Sequence, residues 1–188
     1  MVVQCLTVSL DELISLVPPP KSVPSYDFGA VEAALGHALP DDYKELVSTY
    51  GGGSFGGYLG LMSPTHDELI SGGAYCRQSL TDLRNTYTHH SWIYPDRSRV
   101  PTIIEDVDPV PYYGWGGAPG GETGYWHING DDPNGWAAVV IADGLTNDYH
   151  PHGLVAYLTD LISGRFSTEV FGDDSLALIR ARFVASGR

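Results

Sequence analysis

Residues 40–62, PDDYKELVSTYGGGSFGGYLGLM, narrow the possible folds more than any other stretch of this chain. Tyr43, Leu46, Val47 and Tyr50 recur at i, i+3, i+4 and i+7, which predicts an amphipathic helix with one apolar stripe. Pro40 fits the first helical position, and Asp41 and Asp42 sit where the helix dipole favours anions. Gly51 ends the helix, and Tyr58–Met62 predicts a strand. Gly51, Gly53 and Gly56 spell G-x-G-x-x-G. A dinucleotide cradle, however, needs a strand before the glycines and a helix after them, with the pyrophosphate at that helix's N-terminus. Here the order is reversed. The helix meets the glycines with its carbonyl end, which is partially negative and repels phosphate. No Walker lysine follows. The stretch therefore predicts a helix cap and a flexible turn, with no nucleotide and no other cofactor.

The rest of the chain extends this pattern without repeats. Ser9–Val17 predicts a short helix with Leu10, Leu13, Ile14 and Val17 on one face and a Ser9/Glu12 capping box; Pro18–Pro20 stops it. Phe28–Leu35 predicts a second helix, with Phe28, Val31 and Leu35 inward and Gly36 as its cap. Thr65 and Glu68 form another capping box, opening a longer helix whose apolar face is Leu69, Gly73, Cys76, Leu80, Leu83 and Tyr87. Gly72 and Gly73 inside it imply a kink or a close packing contact. Residues 88–111 are rich in turn formers and aromatics. Thr123–Ile128 and Trp136–Ala142 read as strands joined by the turn-rich NGDDPNG. Leu154–Ile162 reads as a helix ended by Gly164, RFSTEVF (165–171) as a strand, and Asp174–Val184 as a closing helix. Helices first and strands later give a single α+β domain with a mixed or antiparallel sheet flanked by helices, not regular βαβ units. Residues 1–25 form an N-terminal helix and Pro-rich linker packed on the domain of residues 26–188.

Charge removes several function classes. The chain of 188 residues carries 23 acidic and 10 basic residues, a formal charge of −13. Nucleic-acid binding rests on Lys and Arg displacing counterions, so an RNA or DNA partner is not expected. Anionic membranes are disfavoured for the same reason, and no stretch approaches the roughly 18 apolar residues of a span. MVVQCLTVSL lacks the basic start and apolar length of a signal peptide. Cys5 and Cys76 are too few for a disulfide framework. A cytoplasmic protein that attracts basic partners is expected.

Two motifs carry a family resemblance. Leu39, Pro40, Asp42, Tyr43 and Lys44, then Tyr50 and Gly51–Gly53, match L-P-x-D-Y-K followed by Y-G-G-G. Trp115, Gly116, Gly121, Glu122, Trp126, Asp132, Pro133 and Trp136 match W-G, G-[DE], W and G-D-P-x-x-W in order. Over residues 26–172 the chain resembles the SUKH superfamily, whose namesakes are the yeast Smi/Knr regulators of cell-wall synthesis. The resemblance implies an α+β fold and no established catalytic residue. It also implies kinship with bacterial immunity proteins, which bind and neutralise toxins delivered by neighbouring cells.

Candidate chemistry is sparse. His89 and His90 are adjacent, which in a strand sends them to opposite faces, and His150 and His152 flank a proline. Neither pair makes a metal site, and no C-x-x-C or H-E-x-x-H occurs. On the strand from Thr123, Tyr125 and His127 share the face opposite Trp126, with Glu122 just before it. That group could bind a partner or move protons. Tyr50, Phe55 and Tyr58 around the glycines, and Tyr112, Tyr113, Trp115 and Tyr125 further on, are the candidate binding aromatics. The first functional expectation is an immunity-type protein plugging a protein toxin, such as a nuclease with a basic cleft. The alternative is a small-molecule binder or cofactor-independent enzyme, a dehydratase or cyclase of a secondary-metabolite pathway. His89, His90, Glu122 and His127 would then be its acid–base groups. A regulatory scaffold is a third possibility, disfavoured by the lack of long polar arms.

Overall fold

The computed structural model describes residues 9–86, 90–93, 99–102, 110–142 and 146–186. Cys5, Tyr87 and His89 fall outside them, as do the side chains of Leu83, His90 and Trp92. The strands are β1 (Gly53–Phe55), β2 (Leu59–Leu61), β3 (His90–Ile93), β4 (Arg99–Thr102), β5 (Tyr112–Gly117), β6 (Thr123–His127), β7 (Ala137–Ala142), β8 (Thr146–His150) and β9 (Phe183–Ala185). Seven of them form one antiparallel sheet in the order β8-β7-β6-β5-β2-β1-β9, and β3 and β4 make a separate hairpin. The helices are α1 (Leu10–Leu16), α2 (Phe28–Leu35), α3 (Asp41–Tyr50), α4 (Ser71–Thr86), α5 (Gly153–Ser163) and α6 (Asp173–Ile179). The α+β expectation is met.

Side chains alternate across a strand, so β5–β8 present two faces. One carries Trp115, Trp126, Ala138 and Val140, and packs on Leu13, Tyr43, Leu46, Tyr50, Tyr157 and Leu161 from α1, α3 and α5. The other carries Tyr112, Tyr125, Val139, Ile141 and Tyr149, joined by Cys76 and Leu80 of α4. Burying each large side chain contributes about 2–3 kcal/mol. The sequence suggests a surface or groove on the Tyr125 face of β6, yet α4 closes that face. Its own apolar stripe needs a partner, and the sheet supplies it. Gly73 explains how α4 comes so close, since any side chain there would overlap the Tyr113 ring.

Several local expectations change. Ser9 precedes α1, but its side chain makes no cap; Glu12 N–H bonds to the Ser9 backbone carbonyl instead (3.1 Å). Pro40 is the residue before α3 rather than its first. Thr65 does accept from Glu68 N (3.3 Å), but a π-helical turn (His66–Ile70) precedes α4. The glycines 51–57 hold a strand, β1, as well as a turn. Residues 165–171 form no strand. The Thr168 hydroxyl oxygen accepts from Val170 N (2.9 Å) and Phe171 N (3.3 Å), so local side-chain bonds replace a ladder there. The closing helix stops at Ile179, and Phe183–Ala185 becomes β9 on the free edge of β1.

Candidate functional site

Most residues of the two motifs are spent on architecture. Leu39 and Tyr43 are buried, and the Tyr43 hydroxyl donates to the Met62 carbonyl (2.7 Å) while its ring meets Trp126 edge-on at 4.9 Å. Asp42 reaches from α3 to the start of α5, where its carboxylate accepts from Val155 N (3.1 Å). Burial raises the Asp42 pKa, opposed by the backbone amides it accepts from. Lys44 pairs with Asp41 (2.7 Å) and Glu32 (3.4 Å). The Tyr50 hydroxyl donates to the Val17 carbonyl (2.6 Å), tying α3 to α1. In the second motif, Trp115 and Trp126 fill the core, Asp132 caps the turn Pro133–Gly135, and Trp136 Nε1 donates to the Gly130 carbonyl (2.9 Å). Asp42→Ala removes the acceptor at the α5 N-terminus and is expected to cost about 1 kcal/mol, with Asp42→Asn recovering most of it. Urea midpoints of the two variants check this.

Three amides of the glycine loop are already committed within the chain. Gly51 N donates to the Val47 carbonyl (2.8 Å), Gly52 N to the Tyr26 hydroxyl (3.2 Å) and Gly56 N to the Arg182 carbonyl (2.6 Å). A recess of about 280 Å³ beside them is lined by Tyr26, Gly51, Gly52, Ser63 and Glu68. Its carboxylate, Glu68, accepts from the Ser63 amide (2.6 Å) and hydroxyl (2.8 Å).

Glu122 differs from the other charged motif residues. It is 9% exposed, and its Oε1 accepts from the Tyr58 hydroxyl (3.1 Å). Its Oε2 is buried without a hydrogen-bond partner. The carboxylate lines a groove of about 420 Å³ with Tyr58, Met62, Cys76, Thr123 and the backbone of Gly116 and Gly117. Among the described residues lining this groove, Glu122 is the charged one.

Of the candidate acid–base residues, the structure does not bring Glu122 and His127 together. Glu122 and His127 lie at opposite ends of β6, about 16 Å apart at strand rise. Tyr125 between them is sealed under α4; its hydroxyl donates to the Cys76 carbonyl (3.3 Å), and burial pushes its pKa up. The His127 ring stacks on Tyr112 (4.8 Å), with Nδ1 3.4 Å from the Tyr149 hydroxyl. His89 lies outside the described residues, and His90 opens β3 opposite Thr102. Among the candidate binding aromatics, Tyr50, Phe55, Tyr112, Tyr113, Trp115 and Tyr125 are buried, and Tyr58 is half-exposed. The exposed aromatic the sequence reading passed over is Tyr75, 74% accessible. Its position off the Leu69–Cys76–Leu80 stripe is the signal that places it outward. Among the described residues, no three His, Cys, Asp or Glu side chains come together as metal ligands, and no helix is long and apolar enough to cross a membrane.

No curated protein and no solved structure matches the chain. A family model does, over residues 25–156, which hold both motifs and the groove. With most of its length covered by that match, the chain belongs to the SMI1 / KNR4 family (SUKH-1).

Proposed function

We propose that this protein is a cytoplasmic immunity-type protein that binds and neutralises a protein toxin with a basic surface. The observation that carries the reading is how the charges are distributed. Of the described bases, Lys44, Arg77, Arg165 and Arg180 are engaged within the chain, while Lys21 and Arg182 are exposed. Lys44 pairs with Asp41 and Glu32, Arg165 with Glu12 and Asp160, Arg77 donates to the Tyr112 carbonyl, and Arg180 donates to the Leu161 carbonyl. Asp11, Glu45, Asp67, Asp131, Asp173 and Asp174, by contrast, are exposed. A negative surface of this kind steers a cationic partner and repels nucleic acid. Family membership is consistent with it. Small-molecule catalysis draws less support, because Glu122 and His127 are too far apart to share a substrate proton.

The test is the reading frame beside this gene. A toxin domain encoded there should be lethal alone and harmless when co-expressed with this protein. The purified pair should associate about tenfold more slowly when salt is raised from low to high concentration. Death of the co-expressing cells, or no complex at low salt, would overturn the proposal.

A further inference from the structure

We infer that the groove beside Glu122 is a socket for one arginine side chain of the protein partner, an inference that rests on the partner-binding reading above. Burying a carboxylate is costly unless its oxygens are paired. Tyr58 satisfies Oε1, and nothing among the described residues satisfies Oε2. The missing complement is therefore a cationic donor. The walls suit the stem of such a group. Met62 and the Tyr58 ring are apolar surfaces, and Gly116 and Gly117 keep the floor at backbone level. A flat guanidinium, weakly hydrated and able to donate to both carboxylate oxygens, fits this better than a compact, strongly hydrated ammonium.

The entrance is built from Pro119, Gly120 and Gly121, all exposed. Gly120 lies directly against the carboxylate: a Cβ there would stand 2.7 Å from both oxygens. This turn is held by the Gly121 amide on the Ala118 carbonyl (3.2 Å) and by the Ala118 amide on the Glu122 carbonyl (2.7 Å). Lifting it uncovers Oε2 for the incoming donor.

The experiment titrates the full chain with N-acetylarginine amide, followed by amide NMR signals. N-acetylcitrulline amide, the same shape without the charge, is the control. Saturable shifts at Gly116, Gly117 and Gly121 are expected with arginine, at a Kd on the order of 1 mM for so small a ligand. Citrulline should give none. Glu122→Gln should weaken binding by about tenfold or more, since it removes the charged acceptor. Thr123→Lys, which keeps Glu122 and places a tethered cation on the groove rim, should abolish it. The inference fails if citrulline shifts the same signals, if E122Q binds as well as the parent chain, or if the shifts map to the Asp173–Asp174 surface. No toxin enters this titration, so the two proposals fail separately. Arginine binding without protection of cells sinks the toxin reading, and protection without arginine binding sinks the socket.

Discussion

Gly56→Ala is expected to lower the thermal midpoint by about 10 °C, while Gly57→Ala, one residue on, lowers it by only about 3 °C. Both glycines turn the β1–β2 hairpin with positive φ, +67° and +70°. An alanine pays about 1 kcal/mol for that conformation at either place. The difference is what lies outside. At Gly57 an added methyl meets nothing within 4 Å. At Gly56 it would overlap the Leu178 carbonyl and come within 2.7 Å of Ile179 N. These are backbone atoms of α6, which cannot swing aside as a side chain can. The Gly56 amide also donates to the Arg182 carbonyl at 2.6 Å, so the loop is latched to the segment that leads into β9. Relieving the overlap breaks that latch, adding about 2–3 kcal/mol as overpacking does. Calorimetry on the two variants measures the gap. Equal midpoints would mean that α6 does not rest on the hairpin. The glycines that spell a nucleotide motif are thus placed for chain packing.

The helix α3 was legible because its signals are local: a proline, two aspartates, a four-residue stripe and a glycine. The strand β1 was not. Gly-Ser-Phe has no alternation to read, and its outer partner, β9, comes from the far end of the chain. RFSTEVF alternates well enough to predict a strand, but no sheet edge is offered to it, and Thr168 satisfies the local amides instead. The same distinction governs the site. Glu122 stood out in sequence because it fills the G-[DE] motif position just before the strand that carries Tyr125 and His127. The amphipathic stripe of α4 was also legible, but which sheet face it covers depends on tertiary packing. For that reason Tyr112, Tyr113 and Tyr125 are core residues, while Tyr75 on the outer side of α4 is exposed.

Asp148→Asn is expected to stabilise the protein at pH 8 and to flatten the fall in stability that the parent chain shows between pH 4 and pH 7. Asp148 is fully buried beneath α5. Its Oδ2 accepts from the hydroxyls of Tyr157 (2.9 Å) and Thr168 (2.7 Å), and its Oδ1 has no partner. Burial, opposed by those hydrogen bonds, pushes its pKa from 3.8 up to about 7. Between these values the folded state keeps a proton that the unfolded chain has released. The stability this group lends is complete below pH 3.8 and declines as pH rises to about 7, by about 1.4 kcal/mol per pH unit and about 4 kcal/mol in all. His150 works in the opposite sense. Burial pushes its imidazole pKa below 6.5 despite Asp160 at 3.1 Å, so its contribution is present above pH 6.5 and lost as pH falls. In the parent chain the two partly cancel. An asparagine keeps an acceptor for Tyr157 and Thr168 and carries no charge, at a cost of about 1–3 kcal/mol for a buried amide without a full set of partners. The variant should therefore gain about 1–3 kcal/mol at pH 8, lose the Asp148 decline, and retain the rise toward pH 6.5 that belongs to His150 together with the decline that the raised Asp42 contributes. Urea midpoints at half-unit steps from pH 5 to 8 separate the two slopes. A parent profile unchanged by the substitution would assign the proton to another group. A costly buried acid at this place is understandable from what it joins: Asp148 links β8 to α5 through Tyr157 and to the segment leading to α6 through Thr168. Two hydroxyls converging on one carboxylate fix the path of a segment that has no strand partner.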